Sequence, residues 1–220
     1  MNAAQTINAY CERLDPSFWA EPLNAVTNAA FLIAAGVVAW CIWGKTDGAA
    51  KILIGLLAAI GVGSFLFHTF GTPWAGAADV IPIVLFSLFY IYLATRHFWQ
   101  APIWAALLAV GLFFPYAALV TWGMVQIGLD GTSASYTPIC LLIALYGFAL
   151  ITRAPQTARG LLIGAGILAL SITFRALDLP LCDAWPIGTH FAWHILNGIM
   201  LGWMIWVYHR HRLPFLAKRG

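Results

Sequence analysis

The chain has 220 residues, of which 62% are hydrophobic and only 9% charged, and its mean hydropathy is +0.84. A soluble domain carries about 25% charged residues, so eleven Lys+Arg and eight Asp+Glu are too few to coat a globular surface. This excludes a soluble globular domain, a disordered chain and a nucleic-acid binder, which needs a clustered basic face. Glu12, Arg13 and Asp15 stand where the apolar stretch of a signal peptide would lie, so no cleaved signal is expected. The composition predicts an all-α integral membrane protein with one domain over residues 1–220, without linker or repeat.

A helix needs roughly 20 apolar residues to cross the hydrocarbon. In chain order the qualifying stretches are 23–43, 51–70, 80–95, 102–123, 135–152, 160–177 and 188–208, a bundle of seven helices. The runs are continuous rather than alternating, which excludes a β-barrel. The third stretch is the shortest and places Asp79 at its entrance. Pro82, Pro115 and Pro138 fall within or near helix ends, where membrane helices tolerate a kink.

The charges orient this bundle. If residues 44–50 face the cytoplasm, so do 96–101, 153–159 and the basic tail 209–220. Those segments and their edges hold nine of the eleven basic residues: Lys45, Lys51, Arg96, Arg153, Arg159, Arg210, Arg212, Lys218 and Arg219. Arg13 and Arg175 fall on the other side, with Glu12, Asp15, Glu21, Asp79, Asp130, Asp178 and Asp183. The positive-inside rule then puts residues 1–22 outside as an extracytoplasmic segment and the C-terminus in the cytoplasm.

Polar residues within a bilayer are costly and tend to be functional. Ser64 and His68 lie at i, i+4 near the outer end of the second helix, on one face. His190 and His194 repeat that spacing at the outer start of the seventh. Three imidazoles, one carboxylate and one hydroxyl thus meet in the same leaflet from three helices. Three histidines with an open fourth position make a catalytic zinc arrangement, which suits hydrolysis. Asp79 then serves as general base and acid, and Ser64 as donor to an oxyanion. The plainer readings stay open: a membrane histidine also makes simple interhelical hydrogen bonds, and a serine also serves close packing. His97, His209 and His211 sit among arginines at the opposite edge and read as interfacial.

The set Ser64-x-x-x-His68, Asp79 and His190-x-x-x-His194 on seven helices resembles the CREST superfamily of membrane hydrolases. Tyr10-Cys11-Glu12-Arg13, followed by Phe18-Trp19-Ala20-Glu21-Pro22-Leu23-Asn24 and Asn28, is similar to the alkaline ceramidases in particular. The resemblance implies that His68, His190 and His194 bind zinc. It also implies that Asp79 and Ser64 assist attack of a zinc-bound water on an amide, splitting ceramide into a sphingoid base and a fatty acid. It implies a calcium site in the N-terminal segment, for which Glu12 and Glu21 match acidic positions and Asp15 is a further oxygen ligand. Ala9 stands where another acid is expected, and the same acids could instead cap the first helix. Cys11 and Cys182 both fall on the outer, oxidising side, and the resemblance also points to a Cys11–Cys182 disulfide. Cys41 and Cys140 read as packing residues.

The expected partners are therefore the bilayer and a lipid taken from it, with no nucleic acid and no obligate protein partner. A bacterial cytoplasmic membrane is the expected location, with the site on its extracytoplasmic side. A receptor or sensor on the same frame, or a lipid esterase on the same zinc site, are the alternatives. A transporter would favour repeats and a cluster at the midplane, and neither is seen here.

Overall fold

The computed structural model of the protein describes residues 6–42, 44 and 47–216. Lys45, Lys218 and Arg219, counted above with the basic face, lie outside the described residues. Among the described residues, seven helices are long and apolar enough to cross a membrane: Pro22–Ile42, Gly48–Phe70, Pro73–Phe98, Ile103–Gln126, Gly131–Ala149, Pro155–Leu177 and His190–Leu216. The seven expected stretches correspond to them in order.

The first is two pieces, α1 (Pro22–Thr27) and α2 (Ala29–Ile42), with Asn28 between. Pro22 suits a first turn because its missing N–H would be an orphan there anyway. The Glu12 carboxylate takes up the next donors, accepting from Leu23 N at 2.6 Å and Asn24 N at 2.8 Å. α3 (Gly48–Phe70) starts on Asp47, whose side chain accepts from Ala50 N at 3.1 Å. It stops at Gly71, which adopts φ 57°, a left-handed conformation natural to glycine, and donates to Phe67 O at 2.8 Å.

α4 (Pro73–Phe98) begins seven residues earlier than expected. Thr72 is extended and Pro73 opens the first turn, so Pro73–Ala78 is helical although it is too weakly apolar to read as a span. Asp79 is therefore almost two turns inside the helix rather than at its entrance. α5 (Ile103–Gln126) stands at the periphery, with Ala106 its one buried residue. The fifth span is α6 (Gly131–Ala134) and α7 (Thr137–Ala149); Pro138 lies in the opening turn of α7, just after the break between the two pieces, whereas Pro82 and Pro115 lie inside α4 and α5. α8 (Pro155–Leu177) leads through a 3₁₀ turn at Leu179–Leu181 to α9 (His190–Leu216).

Small residues set the packing, as membrane helices require. Gly198 and Gly202 of α9 lie against Ala30 and Ala34 of α2, and Gly160 and Gly164 of α8 against Val207 and Met204. The core is built on Leu53, Leu57 and Ile60 of α3, Leu161 and Leu168 of α8, and Met204, Ile205 and Tyr208 of α9. Gly63 holds α3 to α4: a Cβ there would collide with the Ala78 carbonyl and touch the Asp79 backbone. Gly63→Val is expected to push α4 outward, cost about 1–3 kcal/mol and carry Asp79 away from α3. Thermal unfolding in detergent, beside a turnover assay, reads both effects.

The end of the bundle opposite the paired histidines is tied by polar contacts. Asp47 accepts from Tyr208 Oη at 2.9 Å and from Arg212 Nε at 3.3 Å. His211 lies 2.8 Å from Thr157 Oγ1 and 3.2 Å from the His97 carbonyl. His209, expected at an interface, is buried.

Candidate active site

His68 comes from the last turn of α3, and His190 and His194 from the first two turns of α9. All three are buried, and one ring nitrogen of each lies within 4.8 Å of the other two, so the group could hold a metal ion. The i, i+4 spacing of α9 supplies two imidazoles from one face, and the two ends of α1 bring partners, Glu21 to His68 and Thr27 to His194.

The nitrogens are already sorted by their neighbours. His68 Nδ1 meets Glu21 Oε2 at 2.5 Å, and His194 Nδ1 lies 3.0 Å from Thr27 Oγ1. His68 Nε2, His194 Nε2 and His190 Nδ1 have no hydrogen-bond partner although buried. Buried polar atoms are nearly always paired, so three orphaned imidazole nitrogens facing one point fit a bound cation. The outer-shell pattern fits too, because histidine ligands usually give their other nitrogen to a carboxylate or similar acceptor.

Asp79 of α4 interacts with the Ser64 hydroxyl of α3 and lies in the field of His68 and Arg175. Ser64 is buried one turn before His68, so the carboxylate, hydroxyl and imidazole line up along the α3–α4 seam. From Trp193 and Asn197, at the level of His194 and one turn below it, a narrow apolar cavity of about 70 Å³ runs down between helices past Phe31 and Phe86 toward Tyr90 and Met204.

The N-terminal segment closes this end. Cys11 and Cys182 form the expected disulfide, with Cα atoms 5.3 Å apart. Tyr10 stacks on His190 with ring centroids at 3.7 Å, and Arg175 Nη2 donates to its hydroxyl at 3.2 Å. The Arg175 guanidinium also lies over Tyr10, Tyr136 and Trp193 at 5.5–5.7 Å. Asp178 accepts from Cys11 N at 3.0 Å, Thr189 N at 2.7 Å and His190 N at 2.9 Å, so one carboxylate pins the segment and starts α9. Sequence reasoning placed Asp178 and Arg175 only as charges on one side. The signal for more was their position at the α8 end of the connection between α8 and α9.

The three acids assigned to calcium are not brought together: the histidines are the one group of three or more His, Cys, Asp or Glu among the described residues with converging ligand atoms. Both Glu12 oxygens cap α1. Asp15 accepts from Ser17 N at 2.7 Å in an exposed turn. Glu21 faces inward, with Arg13 Nε on one oxygen at 2.5 Å and His68 on the other. As placed, Glu12 spends its oxygens on the α1 N–H groups and Glu21 on Arg13 and His68, so calcium at these acids would have to displace those partners.

Seven membrane-length helices around a buried triple-histidine group define a multi-pass helical protein with a candidate metal site near one end. A family model described as Ceramidase matches residues 7–214. The chain belongs to the ceramidase family. No curated protein matches it in sequence.

Proposed function

We propose that the protein is a zinc-dependent membrane amidase that hydrolyses ceramide, an N-acyl sphingoid base, to the free base and a fatty acid. The observation that carries this reading is the set of three unpaired, buried ring nitrogens in a chain of the ceramidase family. An all-imidazole set with room for a further ligand suits zinc over the hard cations. Zinc, when bound, supplies a Lewis acid that polarises a carbonyl and acidifies water.

The chain's own residues do the rest. Asp79 takes a proton from the attacking water as the new C–O bond forms, and returns it to the amine nitrogen as the C–N bond breaks. Ser64 orients Asp79 at rest and turns its hydroxyl hydrogen bond to the acyl oxygen as charge develops there, keeping its proton. Glu21 and Thr27 fix the His68 and His194 rings. The apolar cavity below Trp193 is the place for a lipid chain, and it must widen to take one, since about 70 Å³ is a narrow channel. We place this end of the bundle outside the cytoplasm, in a bacterial cytoplasmic membrane, on the distribution of the basic residues. A lipid esterase would use the same site and differ only in the scissile bond.

Purified protein should release fatty acid from ceramides, and His194→Ala should lose zinc and turnover together while keeping its helical content. Release from acyl esters alone would make it an esterase. No release from either, with zinc retained, would favour a receptor.

A further inference from the structure

The N-terminal segment carries three carboxylates in ten residues, Glu12, Asp15 and Glu21, and one cation, Arg13. Arg13 is among the most deeply buried side chains of the protein, at 2% exposure. An isolated buried guanidinium is costly, and two of the three Arg13 nitrogens find acceptors while Nη1 has no hydrogen-bond partner. Its Nε bonds Glu21 Oε1 at 2.5 Å and its Nη2 donates to the His68 carbonyl at 2.8 Å, while the guanidinium rests on Gly71. The left-handed Gly71 leaves room for it, because a Cβ there would stand 2.9 Å from the guanidinium carbon. The Glu21 carboxylate and the His68 carbonyl are hard oxygen donors from two chain segments, of the kind a divalent cation would use as part of its shell. A side chain of this protein already occupies them.

We infer that Arg13 is a built-in cation that replaces calcium in tying the N-terminal segment to the metal centre, so that the protein works without calcium. Arg13 is a positioning residue: it acts on the centre through Glu21, whose second oxygen holds the His68 ring. This rests on the zinc reading for its activity and zinc measurements; the effect of calcium on unfolding reads the segment alone, so the two fail separately.

The test uses zinc-loaded wild-type protein in detergent, with millimolar calcium or with a calcium chelator and zinc replenished. Unfolding temperature, zinc content and turnover should be the same in both conditions. A cation bound only to the folded state would raise the unfolding temperature with its concentration, so a calcium-dependent rise would overturn the inference. Arg13→Ala should bind zinc about 10- to 100-fold more weakly, the usual effect of losing support for a ligand. Added methylguanidinium should restore zinc binding in this variant, a rescue that a merely structural cavity would not show. If Arg13→Ala does not fold, Arg13→Lys, which keeps the charge but loses the fork, should fold and retain calcium indifference. Calcium dependence of either the wild type or Arg13→Lys would sink the idea.

Discussion

Glu21→Ala is expected to damage the protein more than any other single change outside the three clustered histidines. It strips a buried guanidinium of its carboxylate and a histidine ligand of its acceptor at once. Breaking a buried pair from one side costs about 3–5 kcal/mol, because the remaining charge is left uncompensated. Loss of the ring's support adds a roughly 10- to 100-fold drop in metal affinity. Unfolding temperature and zinc content separate the two effects, and Glu21→Gln, which keeps an acceptor, should lose less of each. Normal stability and zinc content in Glu21→Ala would show that Arg13 and His68 are held some other way.

The same residue sets a dependence on acid. Burial alone would raise the Glu21 carboxyl, but His68 and Arg13 outweigh it and hold it below the ordinary glutamate range. A depressed folded-state value means that the ionised carboxylate stabilises the fold. That contribution is complete above the unfolded value of about 4.3 and drains away as pH falls through the folded one. Glu12 works in the opposite sense: burial raises it against the bonds from Asn24 and Leu23, so acid relieves it. The unfolding temperature should therefore fall below about pH 4 more steeply in wild type than in Glu21→Gln. Parallel curves would remove Glu21 as the cause.

Asp79→Asn is the second large effect, and it falls on chemistry rather than stability. The amide keeps the shape beside Ser64 but cannot accept and return a proton. Turnover should drop about 10²- to 10⁴-fold with zinc content unchanged, measured as fatty-acid release in a single turnover. Ser64→Ala should cost about 10²- to 10³-fold if its hydroxyl serves the acyl oxygen. Near-normal turnover in Asp79→Asn would withdraw the acid–base role.

The bundle was legible because bilayer thickness fixes a length, and charged residues cut the sequence near the right places. Where the reading slipped, the cause was local. Pro73–Ala78 is helical by virtue of Pro73 and its small residues, but not apolar enough to register as a span. The histidines were legible through i, i+4 spacing on two helices that end at the same level. Their supporting partners were not: Glu21, Thr27 and Arg13 sit 47, 167 and 55 residues from what they touch. Nothing local distinguishes Glu21, which faces inward, from Asp15, which turns to solvent. Glu12 shows the same limit, since its caps on α1 depend on a fold-back of the chain that no periodicity announces.

The segment over the histidine cluster also fixes an order of synthesis. Cys11 is made 171 positions before its disulfide partner. Asp178 and His190, which anchor and face that segment, also emerge late. The segment around Cys11 therefore waits, unfastened, until the connection between α8 and α9 and the start of α9 have been made. Formation of the Cys11–Cys182 bond in a pulse-labelled chain is then a clock for completion of the whole bundle, and a ribosome stalled before α9 leaves both thiols free.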